Sequence, residues 1–231
     1  MNLEKALETF GNGWVTELGT YLSDKPIQKI GQELYRLKSQ GLEILPESNL
    51  IFRAFKETPY DKVTVVMLGQ DPYPQVNVAD GLAFSCSRSL YPQPSLKNIC
   101  VEIDSEYPQY MFDPHMWRLD QIDLTRWTKQ GVFLLNSALT VQTNKPGSHA
   151  DLWRDFTIEI INKLNKKEEL VYLLLGKISQ SFEKYISTKH RIISAPHPAS
   201  ESYGHSGFYG SNCFKQVNEC LESVNLTPIN W

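Results

Sequence analysis

The sequence lacks the marks of several common protein classes. None of its 231 residues falls in a run of about 20 apolar residues, the length needed to span a bilayer core. Met1 to Gly13 contains no apolar stretch of signal-peptide length. Both absences predict a soluble, cytoplasmic protein with no membrane partner. Cysteine is scarce: Cys86, Cys100, Cys213 and Cys220 include no CxxC pair. Reduced, partly buried thiols are therefore expected, and a structural zinc site is not. Positive charge is not in excess, with 23 Lys+Arg against 26 Asp+Glu and a net charge of -3. That argues against broad, charge-driven DNA binding, yet leaves room for a small basic patch or for contacts from backbone N–H groups. Internal repeats, low-complexity tracts and linkers are also missing. Proline-containing stretches are short and separate periodic segments, so they read as loops. A single domain over residues 1–231 follows, with residues 1–45 as an N-terminal helical part of it.

What is present is an alternation of helical and strand patterns. Residues 26–39 place Ile27, Ile30, Leu34 and Leu37 on one helical face. Residues 48–55 form a second candidate helix. Four short apolar runs follow at residues 63–68, 132–135, 170–175 and 191–193. They are rich in Val, Ile and Leu and too short for independent helices, so they predict strands buried on both faces. Helical candidates lie between them at 95–103, 151–165 and 178–186. A last helix is predicted from an N-cap at Ser211 to about Glu222. The expected fold is α/β, a central four-stranded parallel sheet flanked by helices on both faces.

The residues just after each buried run carry the functional signal. The first run leads into Gly69-Gln70-Asp71-Pro72-Tyr73-Pro74, the second into Asn136-Ser137, the third into Gly176-Lys177, and the fourth into Ala195-Pro196-His197-Pro198. Parallel strands bring their carboxyl ends to one edge, where open α/β sheets bind ligands. Gln70, Asp71, Asn136 and His197 should thus converge on one cleft. Taken singly, Asp71 is more often a cap, Asn136 a turn residue and His197 part of a rigid loop. Together, a carboxylate, a carboxamide and an imidazole can read a polar ring and activate water.

These segments resemble family 1 uracil-DNA glycosylases. Val65-Val66-Met67-Leu68-Gly69-Gln70-Asp71-Pro72-Tyr73 is similar to the family's water-activating motif. Gly81-Leu82-Ala83-Phe84-Ser85, Pro94-Ser95-Leu96, the stretch from Gly131 to Asn136, Ser148-His149-Ala150, Ala195-Pro196-His197-Pro198 and Gly207-Phe208-Tyr209-Gly210 follow in the family's order. The resemblance runs from about Ile51 to the C-terminus. It implies a DNA-repair hydrolase that flips uracil out of single- or double-stranded DNA and cleaves its N-glycosidic bond, with no metal or cofactor. By the same resemblance Asp71 positions the water and stabilises the sugar cation, and His197, as a neutral imidazole, stabilises the uracil anion. Asn136 reads O4 and N3–H, Phe84 stacks on the base, Tyr73 excludes the thymine methyl, and Gln70 adds contacts at O2. Pro94, Ser95, Lys177 and His149 are candidate DNA contacts, with Ser95 also expected to cap its helix. The implied protein is a monomer of bacterial type or from a phage- or virus-infected cell, and a DNA-mimicking inhibitor protein is a further implied partner.

Three places depart from the family pattern. Pro74 stands where the motif has histidine and supplies neither an N–H nor a titratable group. Asp80 replaces a second histidine and would repel phosphate if it faced DNA. After His197 the family's minor-groove leucine is missing from a stretch about one residue longer. Tyr203 is the candidate replacement wedge, and Ser200 or Ser202 the candidate phosphate contacts. Glu201 would be unfavourable near the DNA backbone unless it points away. These departures motivate an alternative, a catalytically weakened DNA-binding scaffold of a viral or phage replication complex.

Overall fold

The computed structural model describes residue 10 and residues 13–22, 25–108 and 119–231. Of the expected N-terminal helical part, residues 1–9, 11–12 and 23–24 lie outside these. The main sheet has four parallel strands: β2 (Val65–Gly69), β3 (Val132–Asn136), β5 (Val171–Leu175) and β6 (Arg191–Ala195), in the order β3-β2-β5-β6. Every residue of β2, β3 and β5 is buried, so both faces of the sheet are covered, as continuous Val/Leu runs require. β6 is different. It lies at one edge, where Arg191 and Ser194 are exposed, whereas β3 at the other edge is buried throughout.

Four long helices pack around the sheet: α1 (Lys25–Ser39), α2 (Pro94–Glu106), α3 (Ala150–Leu164) and α4 (Cys213–Ser223). Ile27, Ile30 and Leu34 of α1 enter the core, as the spacing predicts. The remaining core is strongly aromatic. Trp14 stacks on Phe133 with ring centroids 4.8 Å apart, and Phe52, Phe55, Trp153 and Phe156 pack edge-on around them.

Several local expectations are corrected. Residues 48–55 divide into a 3-10 turn (Ser48–Leu50) and a short helix (Arg53–Glu57). Residues 178–186 divide similarly, into Lys177–Gln180 and Glu183–Tyr185. A two-stranded antiparallel ribbon, β1 (Ile44–Leu45) with β4 (Val141–Gln142), was not anticipated. Ser211 does not cap α4: the N-cap is Asn212, in a left-handed conformation with no side-chain cap bond. Tertiary contacts replace the cap. Glu106 accepts hydrogen bonds from the backbone N–H groups of Phe214 (3.3 Å) and Lys215 (2.5 Å), satisfying donors that the helix start leaves free. Among the described residues no helix is long and apolar enough to cross a membrane.

Candidate active site

The ends of the parallel strands build the site. Gly69 and Asn136 are register partners at the ends of β2 and β3, so Gln70-Asp71 and Asn136 emerge side by side. β6 ends at Ala195, delivering His197 to the same edge. Gln70, Asp71, Tyr73, Phe84, Asn136 and His197 line one cavity of about 310 Å³, together with Pro74, Pro94, Ser95 and Tyr203. Two glycines permit this crowding. A Cβ on Gly69 would lie 2.4 Å from Asn136 Oδ1, and one on Gly176 would lie 2.8 Å from His197 Cβ.

Asp71 is half-buried. Its Oδ2 accepts the Gly147 N–H at 2.5 Å. Burial raises its pKa above the usual carboxylate value, and hydrogen bonds from Gly147 and the Gln70 side chain oppose that rise. His197 shows its protonation state through its bonding. Its Nδ1 accepts the Ala199 backbone N–H at 3.1 Å. A backbone N–H can only donate, so this contact favours the neutral tautomer with a lone pair on Nδ1 and the proton on Nε2. Burial lowers the His197 pKa and favours that neutral form.

Phe84 occupies the left-handed region, with φ of 64°, a costly conformation for a bulky residue. Its ring centroid lies 6.1 Å from that of His197. Neighbours hold the strained turn in place. Tyr73 Oη donates to the Phe84 carbonyl at 3.0 Å, and the Ala83 N–H bonds to the Leu134 carbonyl at 3.1 Å. Asp80 belongs to the same brace. It is 1 % exposed and accepts hydrogen bonds from the Leu82 N–H, the Ser85 hydroxyl and both the N–H and hydroxyl of Ser87. Arg53 lies 3.1 Å from its carboxylate. The charge of Asp80 is internal and neutralised, so the repulsion of phosphate that it would cause on the DNA side does not arise.

The other predicted contacts are distributed unevenly. Pro94 is exposed at the first position of α2. Ser95 is the second residue of that helix and is buried; Gln93 holds the N-cap position, so Ser95 is not the cap. Lys177 is exposed and lines a groove of about 670 Å³ shared with Gln70, His197, Ser200 and His205. Tyr203 is 77 % exposed at the cavity edge. Ser200 Oγ donates to the His197 carbonyl at 2.6 Å, whereas Ser202 Oγ accepts from Asn98 at 2.9 Å. Glu201 is turned into its own loop, accepting the N–H groups of Phe208 and Tyr209 at 2.7 and 3.1 Å. His149, the remaining candidate contact, is buried. It is 5 % exposed, with Nδ1 2.8 Å from the Thr140 hydroxyl, whose oxygen also accepts from Trp153. Its place is inside the fold, at the start of α3.

Sequence reasoning missed Gly147, the backbone donor to Asp71, and Arg53, the partner of Asp80. The Pro146-Gly147 pair is visible as a turn signal, but nothing local ties it to a carboxylate 76 positions away.

Comparison with known proteins agrees with this geometry. A family model described as the uracil DNA glycosylase superfamily matches residues 55–222. The chain is 39 % identical over 221 residues to the uracil-DNA glycosylase of Actinobacillus succinogenes, covering 94 % of this chain and 96 % of that protein. It is likewise 39 % identical over 223 residues to that of Haemophilus ducreyi, covering 95 % and 97 %. Among solved structures, mimivirus uracil-DNA glycosylase superposes with a TM-score of 0.86 at 27 % identity, covering 100 % of this chain and 89 % of that one. A tyrosine-to-leucine variant of mimivirus UNG in complex with UGI superposes with a TM-score of 0.87 at 28 % identity, covering 100 % and 91 %.

Proposed function

The chain belongs to the uracil-DNA glycosylase superfamily, and from that premise we propose how its own residues excise uracil from DNA. The observation that carries the reading is the single cavity in which Gln70, Asp71, Tyr73, Phe84, Asn136 and His197 meet. A base inside a duplex must leave the stack to enter such a cavity, at a cost of a few kcal/mol. There the Asn136 carboxamide offers one donor and one acceptor, the complement of uracil O4 and N3–H and the wrong pattern for cytosine. Phe84 stacks on the base. Tyr73, held by its bond to the Phe84 carbonyl, stands against C5 and excludes the methyl of thymine.

As the N-glycosidic bond breaks, positive charge develops on the sugar and negative charge on uracil. The Asp71 carboxylate stabilises the sugar cation and orients the water whose oxygen bonds to C1′. The Nε2–H of neutral His197 donates to uracil O2 as charge accumulates there, and Gln70 adds to that stabilisation. The attacking water gives one proton to Asp71, the departing uracil anion takes up one proton, and the products are free uracil and an abasic site. At the cavity rim Pro94 and Ser95, and beyond it Lys177 and the hydroxyl of Ser202, face the phosphates, and Tyr203 fills the space left by the flipped base. Ser202 suits this task better than Ser200, whose hydroxyl proton is already given to His197. The internal position of Asp80 removes one of the three reasons for reading the chain as a weakened scaffold.

The protein acts on DNA as a monomeric, cytoplasmic enzyme in this reading, and the UGI complex of the mimivirus neighbour favours an acidic inhibitor protein as a partner at the same site. The test uses a single-stranded oligonucleotide bearing one uracil, incubated with the protein in EDTA and then cleaved with alkali. Strand scission is expected, reduced roughly 10²- to 10⁴-fold by Asp71→Asn, the range for loss of a positioned acid–base group. Absence of uracil release from both single- and double-stranded substrates would overturn the reading.

A further inference from the structure

We propose that Asn98 and Tyr209 are positioning residues that hold the loop carrying Tyr203 in its DNA-opening pose, an inference that rests on the reading of that loop as the wedge. The loop leaves His197 as a 3-10 turn, Pro198–Tyr203, and continues through Gly207. Pro198 is buried, but every residue from Ser202 to Gly207 is exposed. Apolar packing therefore cannot fix its shape, and polar ties must.

Asn98 supplies them. It is 5 % exposed on α2. Its Nδ2 donates to the Pro198 carbonyl at 2.8 Å and to Ser202 Oγ at 2.9 Å. Its Oδ1 accepts from Tyr209 Oη at 2.8 Å. Both donors and an acceptor of one carboxamide are thus spent on the entry of the loop, on the residue before Tyr203, and on the returning chain. One helical turn further along α2, Glu102 accepts from the N–H groups of Gly210 and Asn212, each at 2.8 Å. Residues four apart share a helix face, so one stripe of α2 grips the loop and its return. The same helix begins at Pro94-Ser95 on the cavity rim. The phosphate-facing end and the wedge are thereby carried on one rigid element, with a fixed spacing between them.

A single strand has no stack to open, so it makes little demand on the pose of the wedge. A duplex requires the wedge to be placed before the base leaves, and that preorganisation is what a loosened tie would forfeit. The deciding measurement is kcat/KM for uracil in a single strand and in the matching duplex. The proteins compared are the wild type, Tyr209→Phe, Asn98→Asp and Tyr203→Ala. Tyr209→Phe deletes one hydroxyl from a side chain that is 44 % exposed, so it does not threaten folding. Asn98→Asp keeps the shape but sets an acceptor against the Pro198 carbonyl. The duplex-to-single-strand ratio should fall roughly 3- to 10-fold in Tyr209→Phe, the equivalent of one lost hydrogen bond, and at least as far in Asn98→Asp. Where Tyr203→Ala lowers the ratio, adding Tyr209→Phe to it should lower it no further, because both changes disable one device. A ratio unchanged in Tyr209→Phe and Asn98→Asp, or equal losses on both substrates, would overturn the proposal. If Tyr203→Ala leaves the ratio at the wild-type value while Tyr209→Phe lowers it, the tie stands and the assignment of Tyr203 as the wedge falls.

Discussion

At the residue scale, the two groups assigned to the chemistry are tuned in opposite directions by the same burial. Asp71 is pushed up from the usual carboxylate range and His197 down from the usual imidazole value. The proposed mechanism needs Asp71 ionised and His197 neutral. As pH falls, Asp71 takes a proton earlier than an exposed carboxylate would. His197 takes one later than an exposed imidazole would, because protonation costs desolvation and also breaks the bond from Ala199. Both losses fall on the acid side, so kcat/KM should be flat near neutral pH and decline below it. The decline should have a slope above one where the two titrations overlap. A profile on single-stranded substrate between about pH 4 and pH 8, the span that brackets ordinary carboxylate and imidazole pKa values, checks this. In Asp71→Asn the residual activity should keep only the histidine limb, with a slope of one. A requirement for a protonated group near the ordinary histidine pKa, seen as activity rising with acidity, would contradict the neutral imidazole. The residue scale is also where the sequence was most legible. Gln70, Asp71, Asn136 and His197 could be placed together because each follows a buried run, and strand ends in a parallel sheet share an edge.

Between strands and whole fold, the interactions that finish each element are tertiary, and a linear reading cannot see them. The start of α4 shows this. Ser211 has the right chemistry for a cap, yet the free N–H groups at the helix start bond to Glu106, more than a hundred positions earlier. Ser95 fails as a cap for a related reason: Pro94 begins α2 one residue sooner, with φ already suited to a helix and no N–H to satisfy. Whether Asp80 would face DNA and repel phosphate was open in the sequence, because its ring of donors and Arg53 are assembled only by folding. The strands, by contrast, were visible as apolar runs, with β2 and β5 starting one or two residues later than the runs and β2, β3 and β6 ending past them, at Gly69, Asn136 and Ala195. The Glu106 contact makes a prediction of its own. Burial, the larger effect, raises the Glu106 pKa to about 7 despite the hydrogen bonds from Lys215 and Phe214, with neighbouring Glu102 adding to the rise. The folded state therefore holds this proton where the unfolded chain has released it. The associated stability is full below the ordinary glutamate pKa and is lost as pH rises toward 7. Glu106→Gln keeps an acceptor for the helix start and removes the charge. It supplies one acceptor where the carboxylate supplies two, so the reading lies in how the gap in Tm changes with pH: relative to the wild type, its Tm should be higher at pH 8 than at pH 5. Equal differences at both pH values would refute the titration of this site.

For the whole molecule, the net charge of -3 sets how DNA is gripped. A protein that neutralises many phosphates with Lys and Arg releases as many counterions, and its affinity then falls steeply with salt. In the proposed DNA-binding mode the groove beside the cavity offers Lys177 as an exposed cation, while the other phosphate-facing groups are hydroxyls and the backbone at the start of α2. Such neutral donors position phosphates but displace few counterions. Binding should therefore depend more on the buried base, which cannot be screened by salt, than on long-range attraction. The prediction is a shallow plot of log K against log salt, with a slope of about -2 for a single strand, or roughly two to three phosphates neutralised. Fluorescence anisotropy with a uracil-containing oligonucleotide measures it, using Asp71→Asn to prevent turnover. Lys177→Ala in that background should reduce the slope by about one, the share of a single phosphate contact. A slope steeper than about -5 would mean roughly seven or more phosphates are neutralised, a basic footprint that this charge balance does not provide. An acidic inhibitor docking at the same rim would face the same limit. Its long-range attraction to a negatively charged chain is weak, so its affinity would have to come from close contacts around the cavity and the exposed Tyr203.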